Sequence, residues 1–181
     1  MTDREIVLCV TGGIAAYKAA DLASRLRQHG AVVTVAMTDA ARRLVTPHTF
    51  EAVTGNPVAT TLWPEPGQRR LDHISLADRA ELVVVAPATA NFLAKAAAGI
   101  ADDLVTTTIV TVGTELPFIV APAMNSRMWA NRIVQRNVET LEGLGWQMVG
   151  PAEGWLACGT EGPGRMAEPD EILAAVAAAL E

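Results

Sequence analysis

Residues 6–13 read IVLCVTGG, a short apolar run that stops at a threonine and a pair of glycines. A stretch suited to a helix follows from Ala15 to His29, and Gly30 then supplies a good C-cap. A strand, a tight glycine turn and a helix make up the repeating unit of a parallel α/β sheet. This opening stretch therefore predicts that strands and helices alternate along the chain.

Four more apolar runs repeat the pattern farther along the chain. They cover residues 32–37, 82–86, 118–121 and, more weakly, 147–149. Helical segments separate or follow them, at about residues 91–98, 104–111, 132–144 and 171–180. Alternation of this kind indicates an open parallel sheet with helices on both faces. Residues 57–70 and 150–164, rich in glycine or proline, are predicted to be long loops.

The polar residues of the chain gather where the predicted strands end. Those ends read TGG at 11–13, threonine at 38, PATAN at 87–91 and PAMN at 122–125. Ligands of open parallel sheets bind outside the carboxyl ends of the strands. The sequence therefore predicts one polar crevice along that edge.

Composition limits what the chain can do. It has 181 residues, half of them hydrophobic, which favours a single domain over residues 1–181 with a real core. The net charge of −6 argues against nucleic acid and against anionic membrane surfaces as partners. No segment has the layout of a signal peptide or a membrane span, so we expect a cytoplasmic protein. With two cysteines and no clustered histidines, we expect neither a disulfide scaffold nor a metal site.

The glycine turn does not by itself identify a ligand. It is neither a Walker loop nor a full dinucleotide fingerprint, although small residues before a helix suit a phosphate. An ordinary tight turn explains it equally well. Thr89 or Asn91 could cap the next helix, and Asp102 and Asp103 are more typical of a cap than of a metal pair.

The two cysteines and the three histidines differ in context. Cys158 lies in a glycine-rich segment and is expected to be accessible, whereas Cys9 in the first strand is expected to be inert core. His29 and His48 are interpreted as structural, at a helix end and a helix start. His73 precedes a short apolar segment and indicates nothing on its own.

Taken together, several segments resemble the flavin-containing cysteine decarboxylase family, and within it the phosphopantothenoylcysteine decarboxylases of coenzyme A biosynthesis. The resemblance covers essentially the whole chain. The most specific segment is PAMNSRMW at 122–129, combined in one chain with ACGTEGPGRMAE at 157–168. The other segments are TGGIAAYK at 11–18, HISL at 73–76, PATAN at 87–91 and AGIADDL at 98–104.

The resemblance implies a flavodoxin-like, Rossmann-type fold in three layers, bound FMN, and homotrimers that hold flavin and substrate at subunit interfaces, often as dodecamers. It also implies an enzyme that converts 4′-phosphopantothenoylcysteine to 4′-phosphopantetheine. FMN would oxidise the substrate thiol to a thioaldehyde, which provides the electron sink for loss of the carboxylate. The enethiolate that forms would then be protonated and reduced by the flavin.

Residue roles follow from the same resemblance. His73 would be the acid–base residue near the thiol, Asn125 would hold the substrate carboxylate, and Cys158 would donate the late proton. The residues that would bind FMN are Gly12, Gly13, Ile14, Thr38, Ala88, Thr89 and Asn91. The residues that would contact substrate are Ala123, Met124, Asn125, Arg165 and Met166.

Several alternatives stay open at this point. Many relatives in the family are fused to the synthetase that makes the substrate, so the chain is either a stand-alone decarboxylase or a piece of such a fusion. A peptidyl-cysteine decarboxylase of lantibiotic-type maturation would share FMN, His73 and Asn125. A non-catalytic flavin-binding regulatory subunit and a dinucleotide-binding reductase are the remaining readings.

Overall fold

The structure is a computed structural model that describes residues 1–63, 72–157 and 159–181. Its central sheet has five parallel strands in the order β2-β1-β3-β4-β5. This is the flavodoxin-like order of a doubly wound sheet, which confirms the predicted fold class. The strands are β1 (Glu5–Val10), β2 (Val32–Met37), β3 (Leu82–Ala88), β4 (Phe118–Pro122) and β5 (Gln147–Met148).

Helices cover both faces of this sheet. The helices of one face are α1 (Ala16–Gln28), α2 (Asp39–Arg42), α3 (Pro47–Thr54) and α9 (Pro169–Ala179). The helices of the other face are α4 (His73–Arg79), α5 (Ala90–Ala98), α6 (Leu104–Val112) and α8 (Arg132–Gly143). One further turn, α7 (Ser126–Trp129), follows β4.

Alternating side chains of the strands pack into two separate hydrophobic cores, one on each face of the sheet. In β1, Ile6, Leu8 and Val10 pack on the α1 and α9 side, whereas Val7 and Cys9 pack on the α5 and α6 side. Successive strand residues point to opposite faces, so a strand that is apolar throughout must be covered twice. The continuous apolar run at the start of the sequence therefore places β1 in the middle of three layers.

Polar caps set where several helices begin. The side chains of Thr89 and Asp103 accept hydrogen bonds from the backbone N–H groups of Phe92 and Thr106, at the starts of α5 and α6. These bonds satisfy donors that a helix N-terminus otherwise leaves unpaired. The interpretation of Thr89 and Asp103 as caps is confirmed, and the described residues include no group of three or more metal-ligating side chains.

The prediction of a loop at residues 150–164 is wrong over most of that range. Two antiparallel strands, β6 (Ala152–Trp155) and β7 (Glu161–Arg165), form a separate hairpin there. Glycine and proline content suggested a loop, but the pairing of the two arms supplies what local propensity lacks. Of the other predicted loop, residues 64–70 lie outside the described residues.

Strand β3 runs two residues beyond its predicted end at Ala86. It continues through Pro87 to Ala88, with a shift in the pairing register between Val85 and Ala88. Proline cannot donate to the ladder, which is why the sequence pattern placed the strand end before it. In the described part of the chain, no helix is long and apolar enough to cross a membrane.

Candidate functional site

A buried hydroxyl ties together the carboxyl ends of β1 and β3. Thr11 is 2% exposed, and its Oγ1 donates to the carbonyl oxygen of Pro87 at 2.6 Å. The backbone N–H of Thr89 donates to the same Oγ1 at 3.1 Å. The two strand-end loops are therefore held in fixed relative positions, at the point where the strand order reverses.

The glycine turn lies close to neighbouring residues on both sides. A Cβ on Gly12 would stand 2.4 Å from Cβ of Ala40, and one on Gly13 would stand 3.3 Å from Cγ of Pro87. Real Cβ atoms do not approach as closely as the first distance, so Gly12 is required by close packing. The turn thus presents bare backbone at the sheet edge, which suits a ligand that must come close.

A first cavity of about 430 Å³ opens at the ends of β1, β2 and β3. Thr38, at the end of β2, lines it and also caps α2 by accepting a hydrogen bond from the N–H of Ala41 at 3.2 Å. The described residues that line this cavity are Thr11, Gly12, Thr38, Asp39, Ala40, Thr89, Asn91, Phe92, Lys95, Asp103 and Thr106. We call it the strand-end cavity.

A second cavity of about 680 Å³ adjoins the first, and the two share Gly12, Thr89 and Asn91. We call it the hairpin cavity, because residues of β6 and β7 form part of its wall. The other residues that line it are Gly13, Ile14, Ala15, Tyr17, Lys18, Ala90, Ala123, Met124, Asn125, Met128, Trp155, Leu156, Ala157, Gly164, Arg165 and Met166.

Nearly all the residues predicted to bind cofactor or substrate line one of these two cavities. Ala88 is the exception, since it is fully buried in β3 and its carbonyl oxygen accepts a hydrogen bond from the N–H of Ala123. Ala88 therefore lies beneath the residues that line the site and is not itself exposed to either cavity.

Asn125 projects from the turn between β4 and α7. Its Oδ1 accepts a hydrogen bond from the backbone N–H of Arg127 at 2.9 Å, so the carboxamide caps α7. The oxygen end of the amide is thereby fixed, and the nitrogen end is its donor. A neutral donor held in this way suits an anionic group of a ligand.

The hairpin is anchored to the Asn125 turn through its backbone. The N–H of Met124 donates to the carbonyl oxygen of Gly164 at 2.9 Å. A Cβ on Gly164 would stand 2.2 Å from the carbonyl oxygen of Met124, and its φ of +144° also favours glycine. Only glycine allows β7 to approach this closely, which brings Arg165 and Met166 to the cavity.

Opposite charges meet beside the hairpin cavity. Nζ of Lys18 lies 2.9 and 3.0 Å from the two carboxylate oxygens of Glu168, and Nη2 of Arg165 lies 3.1 Å from the same carboxylate. The bond from Lys18 is the main reason why the pKa of Glu168 is lowered. No role was predicted for Lys18, although a lysine soon after a glycine turn is a visible signal in the sequence.

The two remaining predicted residues are placed differently. His73 begins α4, where Asp72 caps the helix, and it lines neither cavity. Its Nδ1 is buried and has no hydrogen-bond partner among the described residues. Cys158 lies outside the described residues; the residue before it in the sequence, Ala157, lines the hairpin cavity.

Cys9 is confirmed as inert core. It is fully buried in β1, and burial, with a smaller effect of Asp103, raises the pKa of its thiol to about 12. A thiol with so high a pKa carries almost no thiolate at neutral pH.

Comparisons with known proteins agree with this geometry. A family model described as Flavoprotein matches residues 1–181. The chain is 45% identical to the coenzyme A biosynthesis bifunctional protein CoaBC of Vibrio vulnificus strain YJ016, over 96% of the chain and 43% of that protein. It is 46% identical to the CoaBC protein of Bacillus subtilis strain 168, over 96% of the chain and 42% of that protein. The chain thus spans less than half the length of these relatives.

Two solved structures share the fold over nearly their whole length. A cysteine-to-serine mutant of PPC decarboxylase, complexed with pantothenoylaminoethenethiol, has a TM-score of 0.85 and 31% identity, with 97% of each chain covered. The FMN-dependent cysteine decarboxylase SpaF has a TM-score of 0.82 and 35% identity, with 98% of this chain and 95% of that chain covered.

Proposed function

The chain belongs to the flavoprotein family, and from this premise we propose that it is an FMN-dependent decarboxylase of 4′-phosphopantothenoylcysteine in coenzyme A biosynthesis. The observation that carries the proposal is the pair of adjoining cavities at the strand ends, which share one wall. One cavity has the place and the bare backbone that a flavin phosphate needs. The other is larger and mostly apolar, and the hairpin forms part of its wall, which suits a thiol substrate.

FMN would lie in the strand-end cavity and along the shared wall. In the flavodoxin-like strand order the cofactor sits at the switch point between β1 and β3, where this cavity opens. Gly12 and Thr38 supply close backbone and a hydroxyl, and Thr89 and Asn91 extend the site towards the hairpin cavity. When bound there, FMN supplies a two-electron acceptor beside the substrate.

The substrate would lie in the hairpin cavity with its carboxylate at Asn125. Met124, Met128 and Met166 supply adaptable apolar contacts around the thiol-bearing end. Because an amide donor is neutral, it holds the carboxylate without stabilising it as strongly as a cation would. That balance suits a group that must leave as carbon dioxide.

His73 and Cys158 would move the protons of the reaction. We assign His73 to acid–base chemistry at the substrate thiol, and Cys158 to protonation of the enethiolate after carbon dioxide has left. Since His73 lines neither cavity of its own subunit, we infer that it acts at a cavity of a neighbouring subunit in a homotrimer. A synthetase that makes the substrate, fused or separate, would act alongside.

The role of Asn125 is tested by replacing it with aspartate, which retains the cap oxygen but loses the donor. The purified flavin-loaded protein is assayed for release of carbon dioxide from 4′-phosphopantothenoylcysteine. Asn125→Asp should lower kcat/KM by about 100-fold or more, because two carboxylates repel each other by several kcal/mol.

Asn131→Asp is the matched control, because Asn131 caps α8 through the same kind of bond and lines neither cavity. It should retain nearly full activity. Equal activity of the two variants would refute the carboxylate role. Turnover of a peptide ending in cysteine, with none of the phosphorylated substrate, would favour the peptidyl-cysteine alternative.

The role of His73 is tested by subunit mixing. His73→Asn and Asn125→Asp proteins should each be strongly impaired in decarboxylation while retaining flavin. When they are dissociated and reassembled together, some cavities receive an intact His73 from one subunit and an intact Asn125 from another. Activity should then return in part, and its complete absence in mixed oligomers would contradict the shared site.

A further inference from the structure

The wall of the hairpin cavity carries a small charge cluster that the reaction as proposed does not use. Lys18 is the third residue of α1, and its side chain is only 14% exposed. Glu168, just before α9, holds Lys18 through both carboxylate oxygens and also contacts Arg165 of β7. Three separate elements therefore meet at one carboxylate.

This cluster gives the cavity a charge opposite to that of the whole chain. The charged side chains among the described residues that line the cavity are Lys18 and Arg165, both cations. The chain as a whole carries −6. A cationic site inside an acidic protein concentrates an anionic ligand there rather than over the whole surface.

Glu168 stands behind the two cations rather than beside the ligand space. It is not one of the residues that line the cavity, and the lowered pKa of its carboxyl keeps it ionised at neutral pH. A fixed carboxylate orients Lys18 and Arg165 and balances one of their two charges. Since no carboxylate is among the described residues that line the cavity, the two cations outweigh Glu168 by one charge at this wall.

We propose that Lys18 and Arg165, positioned by Glu168, form the binding site for the phosphate of the substrate and make the enzyme selective for a phosphorylated thiol. The proposal rests on the function proposed above and deepens it. The substrate carries two anionic ends, and the neutral Asn125 accounts for one of them. A phosphate dianion calls for cations, and the partly buried Lys18 is a point-charge donor of the kind that binds phosphate.

The test compares two substrates in one variant. In Lys18→Met, the KM for 4′-phosphopantothenoylcysteine should rise about 10- to 100-fold, the range expected for a lost charge-assisted hydrogen bond. The kcat should change little, because such a contact is made equally before and during the reaction. For unphosphorylated pantothenoylcysteine, the variant should differ from the wild type by less than about threefold. Lys18→Arg, which keeps the charge, should recover most of the loss.

Arg25→Met is the matched control for a structural role. Arg25 also connects α1 to α9, since its Nη1 lies 2.7 Å from the carboxylate of Asp170, but it does not line the cavity. It should leave both substrates unaffected. If Lys18→Met weakens both substrates equally, or if Arg25→Met matches it, the phosphate site is refuted while the decarboxylase function stands.

A binding measurement separates this proposal from the function it rests on. Calorimetry of the flavin-loaded wild type should show 4′-phosphopantetheine binding at least about tenfold more tightly than pantetheine, with the difference lost in Lys18→Met. If the wild type decarboxylates neither substrate, the proposed function fails and this measurement alone decides the phosphate site. Equal binding of the two ligands would overturn it.

Discussion

The central sheet and the hairpin both contribute walls to one site, and the two walls are stabilised in different ways. Every residue of β3 and β4 is buried, whereas the residues of β6 and β7 alternate between intermediate and exposed, with one buried glycine. The sheet wall is held by two apolar cores, and the hairpin wall by backbone contacts at Gly164 and an ion pair at Arg165. The wall proposed to hold the cofactor is thus fixed by the central sheet, whereas the wall proposed to hold the substrate comes from a separate hairpin.

This difference predicts where mutations change stability and where they change substrate binding. A change inside the sheet should lower the free energy of unfolding of the whole domain. A change in the hairpin should leave the sheet and the flavin in place and alter the hairpin cavity.

The largest effect is expected from Phe118→Ala in β4. Phe118 is 1% exposed and its ring stacks on Trp146 with centroids 4.3 Å apart. Its loss should lower the free energy of unfolding by about 3–5 kcal/mol, measured by denaturant titration. Trp155→Ala on the exposed β6 is the comparison variant, at 69% exposure, and should change stability by less than about 0.5 kcal/mol. If both variants lost the same free energy of unfolding, the sheet and the hairpin would not differ in their contribution to stability.

An intermediate effect is expected from Gly164→Ala, which acts where the walls meet. The new Cβ would stand 2.2 Å from the carbonyl oxygen of Met124, so β7 must move by more than a small adjustment. We expect the free energy of unfolding, measured by denaturant titration, to fall by about 1–3 kcal/mol more than backbone strain alone would cause. The flavin absorbance should be retained, and the KM measured by turnover should rise.

Gly145→Ala is the control for backbone strain alone. Its φ is +88° and a Cβ there would meet nothing within 4 Å, so the left-handed conformation alone costs about 1 kcal/mol. A Gly164→Ala protein that behaves like this control would show that the close approach of the hairpin is not required.

The smallest effect concerns Cys9 and appears only at alkaline pH. Burial raises the pKa of its thiol from 9.0 to about 12 in the folded protein. The folded state therefore holds this proton more tightly than the unfolded state. The stability that results is fully present below pH 9.0 and is lost as the pH rises towards about 12. Denaturant titrations across this range should show the decline, and Cys9→Ala should flatten it.

Thiol labelling extends the same comparison to both cysteines. At neutral pH, iodoacetamide followed by peptide mapping should modify Cys158, which the sequence predicts to be accessible, and should spare Cys9 until the protein is unfolded. Modification of Cys9 in the native protein at a rate similar to that of Cys158 would contradict the burial of β1.

How far the sequence predicts the structure also differs between the two walls. Residues 32–37 were predicted as a strand and form β2 with the same bounds, because a β-branched run covered on both faces leaves a continuous apolar signal. The glycine-rich hairpin carries no such signal, since its strands depend on each other and on the turn at Asn125. The end of β3 was predicted too early, before Pro87. The strand continues past this proline through a shift in register with β4, and such a shift cannot be seen in the sequence of one strand.

The site was predictable in its parts rather than in its arrangement. Strand ends identified Gly12, Thr38 and Asn125 as neighbours of one crevice, and the structure brings all three to its cavities. The sequence did not indicate that the crevice has two chambers. Lys18 was missed because its meaning depends on Glu168, which lies 150 positions away along the chain.

The backbone anchor of the hairpin has a consequence for how such proteins diverge. The bond from Met124 to Gly164 involves no side chain, so it persists through almost any change elsewhere in the hairpin, provided that position 164 stays glycine. Exposed positions such as Glu153 and Trp155 are then free to vary in the course of evolution. Changes confined to this hairpin would then alter the hairpin cavity while the strand-end cavity, the proposed cofactor site, stays as it is.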